Sequence, residues 1–182
     1  MYVASVTESE QRITLETMVD LHNELADSPD VDLRSHLDEA GFSRAAGASA
    51  ASTARLADRL VLLQSFLAEL PDLDPEPAAT RVNEELTELP ITPSIVDHAG
   101  MGPHIHWTPT TAKFDDQVMA DMLMALAQEL CDNGTIRFGN CAADDCERLF
   151  YDATRNRSKK FCSDPRCASR THTADHRKRK RS

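Results

Sequence analysis

The sequence lacks the patterns typical of a membrane protein, a secreted protein or a common enzyme. No apolar run approaches the roughly 20 residues that span a bilayer. The first residues, MYVASVTESEQR, contain no basic flank followed by an apolar segment, so we expect no signal peptide. There is no phosphate-binding glycine loop, and no Ser/His/Asp or Cys/His arrangement at a recognised spacing. We therefore expect a protein that is not an enzyme.

Charge is distributed unevenly along the 182 residues, whose net charge is −10. Residues 1–136 hold 7 basic and 24 acidic side chains, a net −17, whereas residues 137–182 hold 13 basic and 6 acidic, a net +7. The length predicts one main domain and a small appended one, which we assign to residues 1–136 and 137–182. The acidic part could dock against the basic part and compete with a nucleic acid for it.

Helical periodicity dominates the first part of the chain. The pattern predicts helices over residues 8–27, 53–70, 77–88 and 115–132, and a short one from Ser28-Pro29 to about Gly41. Leucines spaced at 4-3-4-3 over residues 56–70 indicate a core face rather than a dimerising zipper, because they cover only about two heptads. Asp115 is expected to cap the last of these helices and Asn133-Gly134 to end it. These helices predict a mainly α fold for the N-terminal part.

A histidine-rich extended stretch interrupts the helical pattern after Pro90. Residues 91–109 predict a hairpin, with His104 and His106 on one face of its second strand. With His98, three histidines fall within this short stretch. We interpret them as a polar strand face, and a metal or catalytic site is the alternative.

Four of the five cysteines form two pairs with the same spacer, Cys141-x4-Cys146 and Cys162-x4-Cys167. Two close thiolate pairs joined by a loop are what tetrahedral zinc requires, so we predict one structural zinc ion held by these four residues. Four thiolates leave no open coordination position, which argues against hydrolytic chemistry. Free thiols favour a reducing, cytoplasmic location.

The residues around the cysteines predict the layout of this module. A short strand at 136–138 would lead into the first pair, and Leu149-Phe150-Tyr151 has strand character. Residues 154–158 would form a polar turn, after which 159–161 lead back. Asp164 can cap a helix that begins at Pro165, which places Cys167 in its first turn. A knuckle, a hairpin and then a helix that carries the last cysteine is the layout of a treble-clef-like zinc finger. The predicted fold of the whole chain is therefore mainly α with a small β-hairpin, an α-helical N-terminal domain followed by this finger.

The pair Cys141-x4-Cys146, the segment FYDATRNRSKKFCS (150–163) and Cys167 resemble the bacterial CGNR zinc-finger family, whose N-terminal part is called the ABATE domain. Phe161 takes the place of the tryptophan that is usual there before the third cysteine. The stretch ITLETMVDLHNEL and the helix over 115–132 look like the ABATE part. The name-giving Cys-Gly-Asn-Arg is here Cys167-Ala168-Ser169-Arg170, so only its first and last residues match. The resemblance implies a stress-responsive transcription regulator that binds DNA.

Basic side chains surround the predicted zinc site, and a rigid frame carrying several cations suits phosphate binding. The candidate nucleic-acid contacts are Arg155, Arg157, Lys159, Lys160, Arg166, Arg170, Arg177, Lys178 and Arg181. We predict that DNA is the partner and that the N-terminal domain senses a small-molecule or protein effector. The alternatives are a zinc-stapled module that contacts protein or RNA, and a thiol redox switch involving Cys131. We expect Cys131 itself to be a buried structural thiol.

Overall fold

The computed structural model describes residues 6–97 and 102–181, and leaves the side chains of 6–8, 174–178 and 181 outside the description. The described helices are α1 (Val6–Asp27), α2 (Leu33–Glu39), α3 (Ala50–Glu69), α4 (Pro75–Thr87), α5 (Phe114–Asn133) and α6 (Pro165–Arg181). The described strands form two antiparallel hairpins, β1 (Ser94–Asp97) with β2 (Pro103–His106) and β3 (Phe138–Asn140) with β4 (Leu149–Tyr151). The mainly α fold is thus confirmed, with two hairpins instead of one. None of the described helices combines the length and apolar character needed to cross a membrane.

Helix α5 is the centre of the core and packs against α1, α3 and α4. Its apolar residues recur at helical spacing on a broad face, which is why it can contact three neighbours at once. The five leucines of α3 and the 3-10 turn that follows it are all buried, as their spacing predicted: Leu56, Leu60, Leu63, Leu67 and Leu70. The core interpretation of that repeat is therefore confirmed.

Two predicted N-cap residues, Ser28 and Asp115, are wrong. Helix α2 begins at Leu33 rather than after Ser28, because the Asp32 carboxylate accepts a hydrogen bond from the Ser35 backbone N–H and caps it. Helix α5 begins at Phe114, with Lys113 at the N-cap position, so Asp115 lies inside the first turn.

Asp115 pairs with Arg55 of α3 instead of capping α5. Its side chain is buried, and the Arg55 Nη2–Asp115 Oδ1 distance is 2.8 Å. Burial by itself would raise the pKa of Asp115, but the guanidinium donates to the carboxylate and the net pKa lies below its usual value. Asp115 therefore links α5 to α3 through an ion pair.

The C-terminal end of α5 was predicted correctly. Gly134 has a φ of +64°, a conformation that favours glycine, and its N–H donates to the Leu130 carbonyl. A Cβ at this position would lie 3.1 Å from Cγ of Pro75 at the start of α4. Glycine at this position therefore ends α5 and leaves room for Pro75 at the start of α4.

The β1–β2 hairpin places His104 and His106 on one face, as predicted. Their Nε2 atoms lie 3.2 Å apart, and the Nδ1 atom of His104 lies 2.8 Å from the Gly102 carbonyl oxygen. Both rings are half-buried. His98 lies outside the described residues.

The β3–β4 hairpin packs into the main core, mainly against α1. Phe138, Leu149 and Tyr151 are buried with the helical residues. Asn23 of α1 donates to the Leu149 carbonyl and accepts from the Leu149 N–H, both at 2.9 Å. The zinc-ligand stretch is therefore anchored to the helical part through β4.

Candidate metal centre

Four cysteine sulfurs come together where the sequence predicted a zinc site. The Sγ atoms of Cys141, Cys146, Cys162 and Cys167 all lie within 4.8 Å of one another. Three of the four side chains are buried and Cys146 is half-buried. The cluster has a small apolar surround of its own, which includes Ala143 and Phe161.

The sulfur spacing fits tetrahedral zinc. Sulfurs at 2.3 Å from a tetrahedral ion lie about 3.8 Å apart. The Cys146–Cys162 and Cys162–Cys167 sulfur distances are 3.8 and 3.7 Å. Disulfide sulfurs would be about 2.05 Å apart, so these are free thiols in metal-ligand geometry.

A tight turn after β3 presents the first pair. The Cys146 N–H donates to the Ala143 carbonyl at 3.1 Å, and the Cys141 N–H donates to the Arg148 carbonyl at 2.9 Å. The Ala142 N–H reaches the Lys160 carbonyl at 2.8 Å, which brings the second half of the module against the turn. The predicted strand at 136–138 is shifted to Phe138–Asn140, and β4 pairs with it.

The start of α6 presents the second pair, as predicted. The Asp164 carboxylate accepts from the Arg166 N–H at 2.9 Å, and the Asp164 carbonyl accepts from the Cys167 N–H at 3.1 Å. Pro165 is the first helical residue, so Cys167 lies in the first turn. The ring of Phe161 contacts His172 edge-on with centroids 5.9 Å apart, which holds the helix against the segment before Cys162.

The protonation of the thiols depends on their surroundings. Burial, and hydrogen bonding with the thiols of Cys146 and Cys162, raise the pKa of Cys167 to about 12. Burial also opposes ionisation of Cys141, but the backbone N–H groups of Ala143 and Cys162 donate to its sulfur and the net pKa is lowered. Four thiolates this close repel one another, so a divalent cation at the centre would be needed to hold them ionised, with release of protons.

Arg170 faces the metal centre. Its Nη2 atom donates to Asp145 Oδ1 at 3.0 Å and lies 3.5 Å from the Cys167 sulfur. A guanidinium beside a thiolate favours the ionised ligand and orients it. Ala168 and Ser169 lie on α6, where the Ser169 hydroxyl donates to the Pro165 carbonyl.

Asp152 organises the basic loop between β4 and α6, and the sequence reasoning missed it. It is buried, and its carboxylate accepts from the backbone N–H groups of Thr154 and Lys159, both at 2.8 Å. Burial acts against its ionised form, but these donors and the Thr154 hydroxyl lower its pKa overall. An aspartate two residues before a threonine within a polar stretch is the local signal of such a turn. The segment at 159–161, which was predicted to lead back to Cys162, forms no strand and belongs to this loop.

The candidate nucleic-acid contacts differ in their surroundings. Arg155, Arg157 and Lys160 are exposed on the loop. Lys159 is half-buried and its Nζ donates to the Tyr151 carbonyl at 3.2 Å. Arg166 pairs with Asp164 at 2.7 Å, although its side chain is 76% exposed. Three further candidates lie on α6 with side chains outside the description: Arg177, Lys178 and Arg181.

Cys131 is exposed near the end of α5, so its predicted burial is wrong. The helical face that it occupies points away from the core formed by Leu123, Leu126 and Leu130. It is not one of the sulfurs of the four-cysteine cluster.

Comparison with known families supports the metal assignment. Residues 137–180 match the family model described as CGNR zinc finger. No curated protein matches the chain. The matched segment contains all four clustered cysteines, so residues 137–180 support a zinc finger of the CGNR family with zinc as its metal.

Proposed function

We propose that this protein is a DNA-binding transcription regulator without catalytic activity. The zinc finger and α6 would contact DNA, and an ABATE-like N-terminal part would sense a ligand or partner in a stress response. Zinc would supply the cross-link that orders the module, through Cys141, Cys146, Cys162 and Cys167. The clustered free thiols of the protein favour the reducing cytoplasm as its site of action.

The observation that carries this proposal is a set of exposed cations fixed to the zinc frame. Arg155, Arg157 and Lys160 are exposed on a loop that is tied at both ends. The Asp152 carboxylate accepts from the Lys159 N–H, and the Lys160 carbonyl accepts from the Ala142 N–H in the turn that carries the first cysteine pair. Cations on an ordered backbone lose less entropy when they bind phosphates than cations on a free tail.

The charge of the module suits a polyanion such as DNA as the partner. Residues 137–182 carry a net +7 in a chain that is acidic elsewhere. Backbone contacts to a polyanion release counterions, so binding of this kind weakens steeply with salt. Arg166 and Arg170 already pair with carboxylates, so we assign the main phosphate contacts to the loop and to the later part of α6.

The test is the salt dependence of duplex DNA binding by the zinc-loaded full chain. The variant Arg155→Gln/Arg157→Gln/Lys160→Gln should bind more weakly, and its log–log salt slope should fall by about 0.9 for each lost phosphate contact. The matched control removes three cations from the acidic part, Arg12→Gln/Arg34→Gln/Arg81→Gln. It should leave the slope unchanged.

Two results would contradict the proposal. One is the absence of measurable duplex binding at low salt by a sample with full zinc content. The other is an equal loss of affinity in both triple variants, which would indicate only a net-charge effect. Structured RNA measured at matched salt separates the RNA-contacting alternative, since tighter binding to RNA would favour it.

A further inference from the structure

A cavity of about 360 Å³ lies between α1, the segment after α2, β2 and α5. This volume is within the range of small-molecule sites and suits a single ring with a short side chain. The lining that the argument uses comprises Glu10, Phe42, His104, His106, Trp107 and Asp121. The cavity lies in the acidic part of the chain, away from the four cysteines.

The charged groups of the cavity are acidic. Among its described lining residues are two carboxyl side chains, Glu10 and Asp121, and no lysine or arginine. Amide groups complete the polar wall, including those of Gln11 and Gln128. A concave wall of this composition disfavours an anionic ligand and attracts a cation.

Asp121 is the carboxyl group of the cavity whose ionised form a bound cation would stabilise most. Burial, and then the negative charge of Glu10, raise the pKa of Asp121 to about 7. The ionised carboxylate is therefore costly in the empty cavity, and a cation beside it would offset that cost. The titratable groups that face the same space are Glu10 on α1 and His104 and His106 on β2.

The remaining wall is apolar and aromatic. Trp107, Phe42 and Ile13 line it, and Trp107 is half-buried. Aromatic faces attract organic cations as well as apolar groups. An ion alone would leave this surface uncovered, whereas a ring would cover it.

A metal ion fits the arrangement less well. Among the described residues, the four cysteines are the one group of three or more His, Cys, Asp or Glu side chains that could hold a metal ion. Glu10, His104, His106 and Asp121 do not form such a set. The geometry favours an organic ligand whose charge and body reach separate parts of the wall.

We propose that this cavity binds a small organic cation, a protonated amine carried on an aromatic or apolar body, with the ammonium group at Asp121 and Glu10 and the body against Trp107. The inference rests on the proposed function in one respect, since it gives the class of ligand that the N-terminal part would sense. The binding itself can be measured without DNA.

The experiment uses three probes of one shape and different charge: phenethylamine, 2-phenylethanol and phenylacetate. Trp107 is the sole tryptophan of the chain, so its fluorescence reports on this cavity. We expect the zinc-loaded full chain to bind phenethylamine on the order of tenfold to a hundredfold more tightly than the alcohol, and phenylacetate most weakly. The affinity for phenethylamine should fall as pH drops below about 7, because Asp121 then becomes neutral.

The variant Glu10→Gln/Asp121→Asn, which removes both carboxylates, should bind phenethylamine and 2-phenylethanol with similar affinity. Asp58→Asn on the exposed face of α3 is the control and should behave as the unmodified chain. Because His104 and His106 face the same cavity, the part of the pH dependence that Asp121→Asn removes is the share that belongs to this carboxyl. Three results would overturn the inference: no saturable response to any probe, a preference for phenylacetate, or a preference for the amine that survives in Glu10→Gln/Asp121→Asn. Salt-dependent DNA binding in the same sample would leave the proposed function in place.

Discussion

At the scale of single residues, Asn23 acts in place of a third strand. Its side-chain amide makes both hydrogen bonds that a neighbouring strand would make to Leu149 on the outer edge of β4. The side chain of Asn23 is only 2% exposed, so water cannot take over these bonds. One side chain thus joins α1 to the strand that follows the first cysteine pair.

Asn23→Ala should destabilise the zinc-loaded chain by about 2–4 kcal/mol, because it leaves the N–H and the carbonyl of Leu149 buried without partners. Urea unfolding followed by circular dichroism measures the loss. Asn83→Ala, on the exposed side of α4, is the matched control and should change the free energy of unfolding by less than about 0.5 kcal/mol. A similarly small change for Asn23→Ala would contradict this role.

The metal ligands could be predicted from the sequence, whereas Asn23 could not. Cysteine is a specific ligand type, and the spacing of each pair fits within one turn, so the information is local. Asn23 and Leu149 are 126 residues apart, and neither local sequence indicates that the two residues will be in contact. Asp115 was misassigned for the same reason, since the competing partner Arg55 is 60 residues away.

At the scale of the elements, the β3–β4 hairpin depends on a close approach between Gly139 and Phe150. The two residues are paired across the strands. A Cβ on Gly139 would lie 2.6 Å from Cζ of the Phe150 ring, which is closer than real contacts allow. The ring therefore covers the glycine backbone, directly before the strand leads into Cys141.

Gly139→Ala should lower stability by about 1–3 kcal/mol, because the Phe150 ring has to leave its position. Gly47→Ala is the matched control: a Cβ there meets nothing nearer than 3.9 Å, and its φ is not positive. Thermal unfolding of the two zinc-loaded variants compares them. Combining Gly139→Ala with Phe150→Leu should recover part of the loss, and equal melting temperatures for the two alanine variants would contradict the close-packing account.

The helices could be predicted better than their ends or the strand pairing. Apolar periodicity is set by burial against the core, and it correctly indicated α1, α3, α4 and α5. The end of a helix depends on which nearby side chain accepts hydrogen bonds from its free backbone N–H groups. In α2 that side chain is Asp32, whereas the sequence predicted Ser28. The module around the zinc site was harder still, because its strands are three residues long and carry almost no periodic signal.

At the scale of the whole molecule, the acidic part docks the zinc module through specific polar contacts. Arg148 pairs with Asp27, and the Ser163 hydroxyl donates to Asp20 at 2.9 Å, so both halves of the module touch α1. The sequence indicated such docking only as a possibility, from the opposite net charges. The contacts involve the cysteine-bearing turns and leave the loop cations Arg155, Arg157 and Lys160 exposed.

Two kinds of stabilisation therefore meet in residues 137–181. The hairpin β3–β4 is buried in the main core, whereas the cysteine cluster has only a small apolar surround of its own. In such modules zinc contributes on the order of 10–16 kcal/mol to folding. Removing the metal should consequently unfold the part beyond β4 and leave the helical core folded.

The full chain should contain about one zinc ion, and a chelator that removes it should expose the loop and α6 to trypsin while α1 to α5 stay protected. Cys141→Ser and Cys167→Ser should each give the same cleavage pattern and lose the zinc. Cys131→Ser should keep both the metal and the protection, because that thiol is exposed and outside the cluster. Zinc quantification and limited proteolysis on the four proteins test this, and a chain that stays protease-resistant after complete zinc removal would show that docking on α1 alone holds the module.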